Sequence, residues 1–198
     1  MRLKCFLLIL PCLAAASCMK PKGAQYVTEP RIGSRSEYSL EYKSPYGGVQ
    51  TGSMTVRVDG QETIGGKRYY KVVSTFFGVP GLDQQVGFER WSSDGVFAVD
   101  GDHRDKPEYL DTPLPIGVGT SWITQAPDSR TTYQVVGLET VETRTKTYKD
   151  CLRVTFERND KDGASQGTTY LCPSVGMTKL LMTASGVPMT FTLENYKR

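Results

Sequence analysis

Histidine occurs once in this chain of 198 residues. That excludes a His-rich metal site and leaves little choice for a His-based catalytic triad. Charge of one sign is also scarce: 24 Lys and Arg stand against 21 Asp and Glu, a formal +3, far from the basicity of a nucleic-acid module. Beyond the N-terminus no stretch approaches the ~18 apolar residues of a spanning helix. No window of about twelve residues carries a helical apolar stripe. No fixed period repeats, which excludes a propeller or solenoid. CxxC is absent, and with it the common redox and zinc patterns. What remains is ordinary for a globular chain, 38% hydrophobic, 10% aromatic and 23% charged, so wholesale disorder is excluded. This length can bury roughly 70% of the unfolded surface.

The N-terminus gives an address. Arg2 and Lys4 precede an apolar run from Cys5 to Leu13, followed by Ala14, Ala15, Ala16, Ser17 and Cys18. A basic start, a short apolar core and small residues form a secretory signal. Cys18 directly after Ala-Ala-Ser resembles a bacterial lipobox, although Ala15 stands where Leu is commonest. The resemblance implies cleavage before Cys18 and diacylation of its thiol, with Cys18 first in the mature chain. Several acyl chains, at about 0.8 kcal/mol per buried CH₂, anchor a protein without a spanning segment. Met19, rather than Asp, follows the Cys, which leans toward the outer membrane. Losing Arg2 and Lys4 leaves 22 basic against 21 acidic residues, so the mature chain is nearly neutral. The reading is a lipoprotein signal over 1–17, a Pro- and Gly-containing tether over 18–35, and a single β-sheet domain over 36–198.

From Glu37 onward the dominant period is two. Tyr38, Leu40 and Tyr42 alternate with Glu37, Ser39, Glu41 and Lys43, and Met54, Val56 and Val58 repeat the pattern. Strands are expected near 37–43, 53–58, 68–77, 85–91, 96–99, 131–136, 141–147, 152–158, 168–171, 178–183 and 189–193. Turn signals such as Asp59-Gly60, Gly65-Gly66 and Asp94-Gly95 separate several of them, the mark of an antiparallel sheet. The fold class is therefore all-β, a mainly antiparallel sheet or barrel of about 10 strands with little helix. Residues 101–119, with Pro107, Pro113 and Pro115, show no alternation and read as a long loop.

Once the signal leaves and Cys18 is acylated, Cys151 and Cys172 remain, an even number in an oxidising compartment. An antiparallel register centred between Lys161 and Asp162 sets Leu152 against Leu171, Phe156 against Gly167 and Cys151 opposite Cys172. Directly opposed strand positions bring Cβ atoms to ~4.5–5.5 Å, close to disulfide reach. Closing that loop stabilises by roughly 3 kcal/mol in the chain-entropy model. Two free buried thiols in a slipped register is the alternative.

Motifs of catalysis do not assemble. His103 lies among Asp100, Asp102 and Asp105, but an EF-hand loop fails where Arg104 and Asp105 stand, and Arg104 and Lys106 repel a cation. A solvated turn is the simpler reading. The run from Gly117 to Ser121 is neither a nucleophile elbow nor a phosphate loop. Nothing singles out a pair of carboxylates among the acidic residues. Lys67-Arg68-Tyr69-Tyr70-Lys71 could stack single-stranded nucleic acid, but in an exported, neutral protein it reads as a solvated face. No cofactor is expected, and no nucleic acid.

The C-terminal half is the most characteristic. Tyr148-Lys149-Asp150-Cys151-Leu152-Arg153-Val154 is followed by a return strand into Tyr170-Leu171-Cys172-Pro173-Ser174-Val175-Gly176, and the chain closes on Glu194-Asn195-Tyr196. Upstream stands Leu114-Pro115-Ile116-Gly117-Val118-Gly119-Thr120-Ser121-Trp122. This layout, from Leu114 to Tyr196, resembles a family of uncharacterised bacterial envelope lipoproteins. The resemblance implies a curved antiparallel sheet or open half barrel like that of the lipoprotein carriers LolA and LolB. The N-terminal half shares no motif with it, and no lid helix is evident.

The functional expectation is a lipid-anchored, non-enzymatic protein facing the periplasm, whose curved sheet takes a lipid or other apolar ligand. Phe76, Phe77, Phe88, Trp91 and Trp122 are the candidate contacts, against the plainer reading that strand aromatics are core. The alternatives are a scaffold module, recruiting an envelope partner through a sheet edge or the 101–119 loop, and an unrecognised hydrolase.

Overall fold

A computed structural model describes residues 26–27, 29–44, 47–79, 83–161 and 163–198. The signal over 1–17 and Cys18 lie outside the described residues. Twelve strands form one antiparallel sheet: β1 Arg35–Lys43, β2 Val49–Ile64, β3 Lys67–Phe77, β4 Gln84–Trp91, β5 Gly95–Asp100, β6 Tyr109–Pro113, β7 Ser121–Ala126, β8 Ser129–Glu142, β9 Thr147–Asp160, β10 Gly163–Cys172, β11 Gly176–Ala184 and β12 Val187–Lys197. The order β6-β5-β4-β3-β2-β1-β12-β11-β10-β9-β8-β7 brings the two chain ends together in the middle of the sheet. Its outer edges, β6 and β7, approach each other. The sheet thus curls into a nearly closed barrel. Across the seam the Trp122 Nε1–H donates to the Asp111 carbonyl at 2.7 Å and the Thr124 hydroxyl to the same oxygen at 3.1 Å. Each edge strand covers the other, which answers the hazard of unpaired strand edges.

Period-two alternation sorts the side chains onto two faces. Tyr38 and Leu40 of β1 meet Met54 of β2 and Phe191 and Leu193 of β12 in a buried inner cluster. Glu41 and Lys43 on the opposite face are more exposed. A second inner cluster joins Val135, Leu152 and Val154 to Leu114 and Ile116 from the β6–β7 connection. That connection bends inward through Gly119 at φ +89° and is pinned by the Gly119 N–H on the Val135 carbonyl at 2.9 Å. It fills one end of the barrel. Tyr26 and Val27, within the stretch expected as a tether, pack on the same cluster before β1 begins.

Four differences from the sequence reading have physical causes. The sheet has twelve strands rather than about ten. Residues 101–119 are not one loop, because Tyr109–Pro113 is a five-residue edge strand. A register shift at Val96/Phe97 hides its alternation. The strand also missing from that reading is Ser121–Ala126, paired to β8. The expected strands near 131–136 and 141–147 are one strand, β8, whose alternation is reset by shifts between Val135 and Gly137 and between Glu139 and Val141. The chain then turns at Thr143, whose hydroxyl donates to the Lys146 carbonyl at 2.9 Å.

The β9–β10 register matches the one read from the sequence, with Leu152 opposite Leu171 and Phe156 opposite Gly167, and Cys151 is disulfide-bonded to Cys172. Both cysteines are fully buried beside Val141, Tyr148 and Tyr170. Asp150 precedes the bridge at φ +54°, a left-handed conformation that Asp tolerates better than most residues. It marks the irregularity that brings Cys151 back into register with Glu139.

Candidate functional site

The inner face is built from register rows that cross the strands. One runs Trp122, Tyr133, Phe156, Gly167, Met182, Met189 and Tyr42, from β7 through β12 to β1. Trp122 stacks on Tyr133 with centroids 4.7 Å apart, and Phe156 follows at 6.0 Å from Tyr133. Gly167 is required there: a Cβ would stand 2.2 Å from the Leu181 carbonyl oxygen and 2.8 Å from the Phe156 ring. Along this wall lies a cavity of about 450 Å³, lined by Tyr133, Phe156, Leu180 and Met182 with Arg158 and Asp160 at its margin. It lies toward the barrel end that carries the β9–β10 and β11–β12 turns, opposite the end filled by Leu114 and Ile116.

The facing wall is polar. Its row is Tyr70, Glu89, Ala98 and Tyr109, across β3 to β6. Glu89 and Asp111 share this interior and interact electrostatically. The Glu89 side chain is partly buried and faces the lumen. Loss of hydration by burial, then the neighbouring Asp111 charge, push Glu89 up to about 7. Burial likewise raises Asp111, opposed by a hydrogen bond from Thr112 at 2.9 Å. Tyr109 and Tyr133 are pushed up to about 12, by burial first and by the Asp111 charge second. Tyr109, Asp111 and Arg158 line one cleft with Glu89. Since Arg158 also lines the apolar cavity, the two spaces meet at that residue.

The outer face carries a strap rather than a site. Residues 101–108 leave β5 through the 3-10 turn Gly101–His103 and lie over a small cluster of Tyr69, Phe88 and Val99. Glu108 pins the strap: its carboxylate accepts Arg90 Nε–H at 2.9 Å and Nη2–H at 2.8 Å, the Tyr69 hydroxyl at 2.5 Å and Lys67 Nζ at 2.5 Å. Arg90 above all, then Lys67 and Tyr69, hold Glu108 down to about 2 against the opposing effect of burial. Arg104 lies 4.7 Å over the Phe88 ring and pairs with Glu62. His103 sits 3.6 Å from Asp100 and 3.6 Å from Asp128. Among the described residues no group of three His, Cys, Asp or Glu is arranged to hold a metal ion.

The five candidate aromatics therefore separate. Phe76 packs on the inner cluster of Tyr38 and Leu40, and Trp122 stands over the cavity's Tyr133. Trp91 shares the phase of Glu89 on β4, with a buried Nε1–H that no partner among the described residues receives. Phe77 and Phe88 are corrections. Adjacent strand residues point to opposite faces, so Phe77, next to inward Phe76, is 58% exposed outside. Phe88 is 2% exposed, but under the strap on the outer face. Not among the contacts expected from the sequence are Tyr133, Phe156, Leu180 and Met182, together with Glu89 and Asp111.

Two solved structures carry the same architecture. A candidate exported protein from Bacteroides fragilis, described as having a YmcC-like fold, aligns over 85% of this chain and 97% of its own, with a TM-score of 0.53 and 15% identity. A candidate lipoprotein from Parabacteroides distasonis aligns over 85% and 97%, with a TM-score of 0.51 and 12% identity. This chain shares their fold. A LolA superfamily protein from Nitrosomonas europaea aligns over 88% of this chain and 90% of its own, with a TM-score of 0.37 and 11% identity. No protein-family model and no curated protein matches the sequence.

Proposed function

We propose that this chain is a lipid-anchored, non-enzymatic protein of the bacterial envelope that holds an apolar chain inside its curled sheet. The observation that carries this reading is the cavity of about 450 Å³ walled by Tyr133, Phe156, Leu180 and Met182. That volume lies within the ~300–1,000 Å³ common for small-molecule sites, which are apolar with a few polar groups. The likeness in fold to a candidate exported protein and a candidate lipoprotein supports the envelope address.

The anchor is Cys18, and the protein faces the periplasm from the outer membrane. Eight residue steps lead from Cys18 to docked Tyr26. At ~3.3–3.6 Å per extended residue they reach at most about 29 Å. The filled end of the barrel thus stays near the bilayer, and the cavity end is turned away from it. An edge-recruiting scaffold is less favoured, because β6 and β7 already face each other across the seam.

The test is extraction. Protein purified from membranes is taken into organic solvent and the extract examined by mass spectrometry, beside a Met182→Trp variant that fills the cavity. A lipid recovered beyond the covalent acyl chains, and lost in the variant, is the expected result. Repeated recovery of nothing from the wild type overturns the reading. Cys18→Ala separately releases the chain from the membrane fraction if the anchor is as proposed.

A further inference from the structure

An apolar wall alone accepts any chain, so the opposite wall decides which amphiphile is held. Glu89 and Asp111 line the same cleft. Among the described residues no hydrogen bond or ion pair reaches the Glu89 carboxylate, and Asp111 receives only its neighbour Thr112. Arg158, the basic side chain on the boundary between the two spaces, is spent on Asp160, with Nε 3.0 Å from Oδ2. Lys71 and Arg104 also line this cleft but pair with Glu62, and Arg90 pairs with Glu108. Beside Glu89, a Cβ added at Gly87 would meet nothing within 4 Å, so the wall has open room in front of it. A carboxylate held in a partly closed cleft without a protein partner loses part of its hydration there, and a bound cation would offset that loss.

We propose that the lumen selects amphiphiles with a cationic amine head, seated between Glu89 and Asp111, with the chain lying along Phe156, Leu180 and Met182. This rests on the reading of the lumen as an apolar-chain site and adds the chemistry of the head. An ammonium supplies three donors to acceptor-only carboxylates. A fatty acid or anionic lipid head meets like charge there and is rejected, which is how specificity between equal chains arises. The raised Glu89 agrees: burial holds it near its charge-to-neutral midpoint until a cation arrives.

The experiment uses the full chain in phosphatidylcholine nanodiscs, titrated with 12-bromododecylamine, 12-bromododecanol and 12-bromododecanoate while the fluorescence of Trp91 and Trp122 is read. The bromine quenches only on close approach, and empty nanodiscs give the uptake of each compound by lipid. The expected result is a quenching midpoint for the amine at least tenfold lower in the wild type than in E89Q/D111N, with the alcohol unchanged between the two. If the double variant does not fold, the corrected wild-type order of amine, alcohol and carboxylate carries the test. Equal midpoints for all three heads overturn the head-group assignment and leave the apolar site standing. Absence of quenching by every chain overturns both.

Discussion

Two glutamates show how one side chain acquires opposite properties from its surroundings. Glu89, partly buried and without a partner among the described residues, is raised to about 7, while Glu108 is held near 2 by Arg90, Lys67 and Tyr69. A raised carboxyl contributes stability that is present below its unfolded value of about 4.5 and is lost as pH rises through about 7. Glu89→Gln should therefore raise the denaturation midpoint at pH 8 and leave it unchanged at pH 4. A lowered carboxyl works in the other direction, its stability present above about 4.5 and lost as pH falls toward 2. Glu108→Gln should cost on the order of 2 kcal/mol at pH 7, since it removes charge-assisted hydrogen bonds, and the difference should shrink as acid protonates the wild-type residue. Denaturant titrations across pH 2–8 check both, and equal pH profiles for the two variants would contradict the contrast. Neither residue was legible. On β4, Val86, Phe88 and Arg90 alternate with Gly87, Glu89 and Trp91, and both sets mix apolar with charged residues. Which set faces inward is decided by the neighbouring strands and the covering strap. Asp111 meets Glu89 only through the pairing of β4, β5 and β6.

At the scale of elements, local pattern was a good guide where one face was uniformly buried. β1 alternated cleanly, and the β9–β10 register followed from Leu152, Phe156, Leu171 and the two cysteines. Pattern failed at bulges. Shifts along β8 split one strand into two expected ones, and the irregularity beside β6 concealed an edge strand. The segments resembling envelope lipoproteins turn out to be turn and packing devices. Asp150 and Ser174 adopt positive φ around the buried bridge, and Leu114 and Ile116 fill the barrel end. The tight approach of β10 and β11 gives a sharp prediction. Gly167→Ala sets a methyl against the Leu181 carbonyl and the Phe156 ring; because the backbone cannot give way as a side-chain tip does, destabilisation should exceed ~2 kcal/mol. Thermal melts check this, and a neutral effect would contradict the described register.

For the whole molecule, a sheet whose two edges meet leaves an enclosed face and an outer face with different company. The enclosed face has a filled end, an apolar wall and a carboxylate wall; the outer face has a strap and exposed polar residues. The all-β class followed from period and the disulfide positions from cysteine count and strand register, while curvature was implied by the resemblance of the C-terminal half. The lumen did not, because its lining comes from strands far apart in the chain, and because Phe77 and Phe88 belong to the other face. The alternation of faces gives the most direct test of the central claim, that an apolar chain lies inside. Cells expressing the protein are fed an acyl probe with a diazirine at the chain end, irradiated, and the adducts mapped by peptide mass spectrometry. Labels on Tyr133, Phe156, Leu180 and Met182, sparing their outward neighbours Thr132, Thr155 and Leu181, are the predicted result; labels confined to Thr132, Thr155 and Leu181, or absent from the barrel altogether, would contradict it.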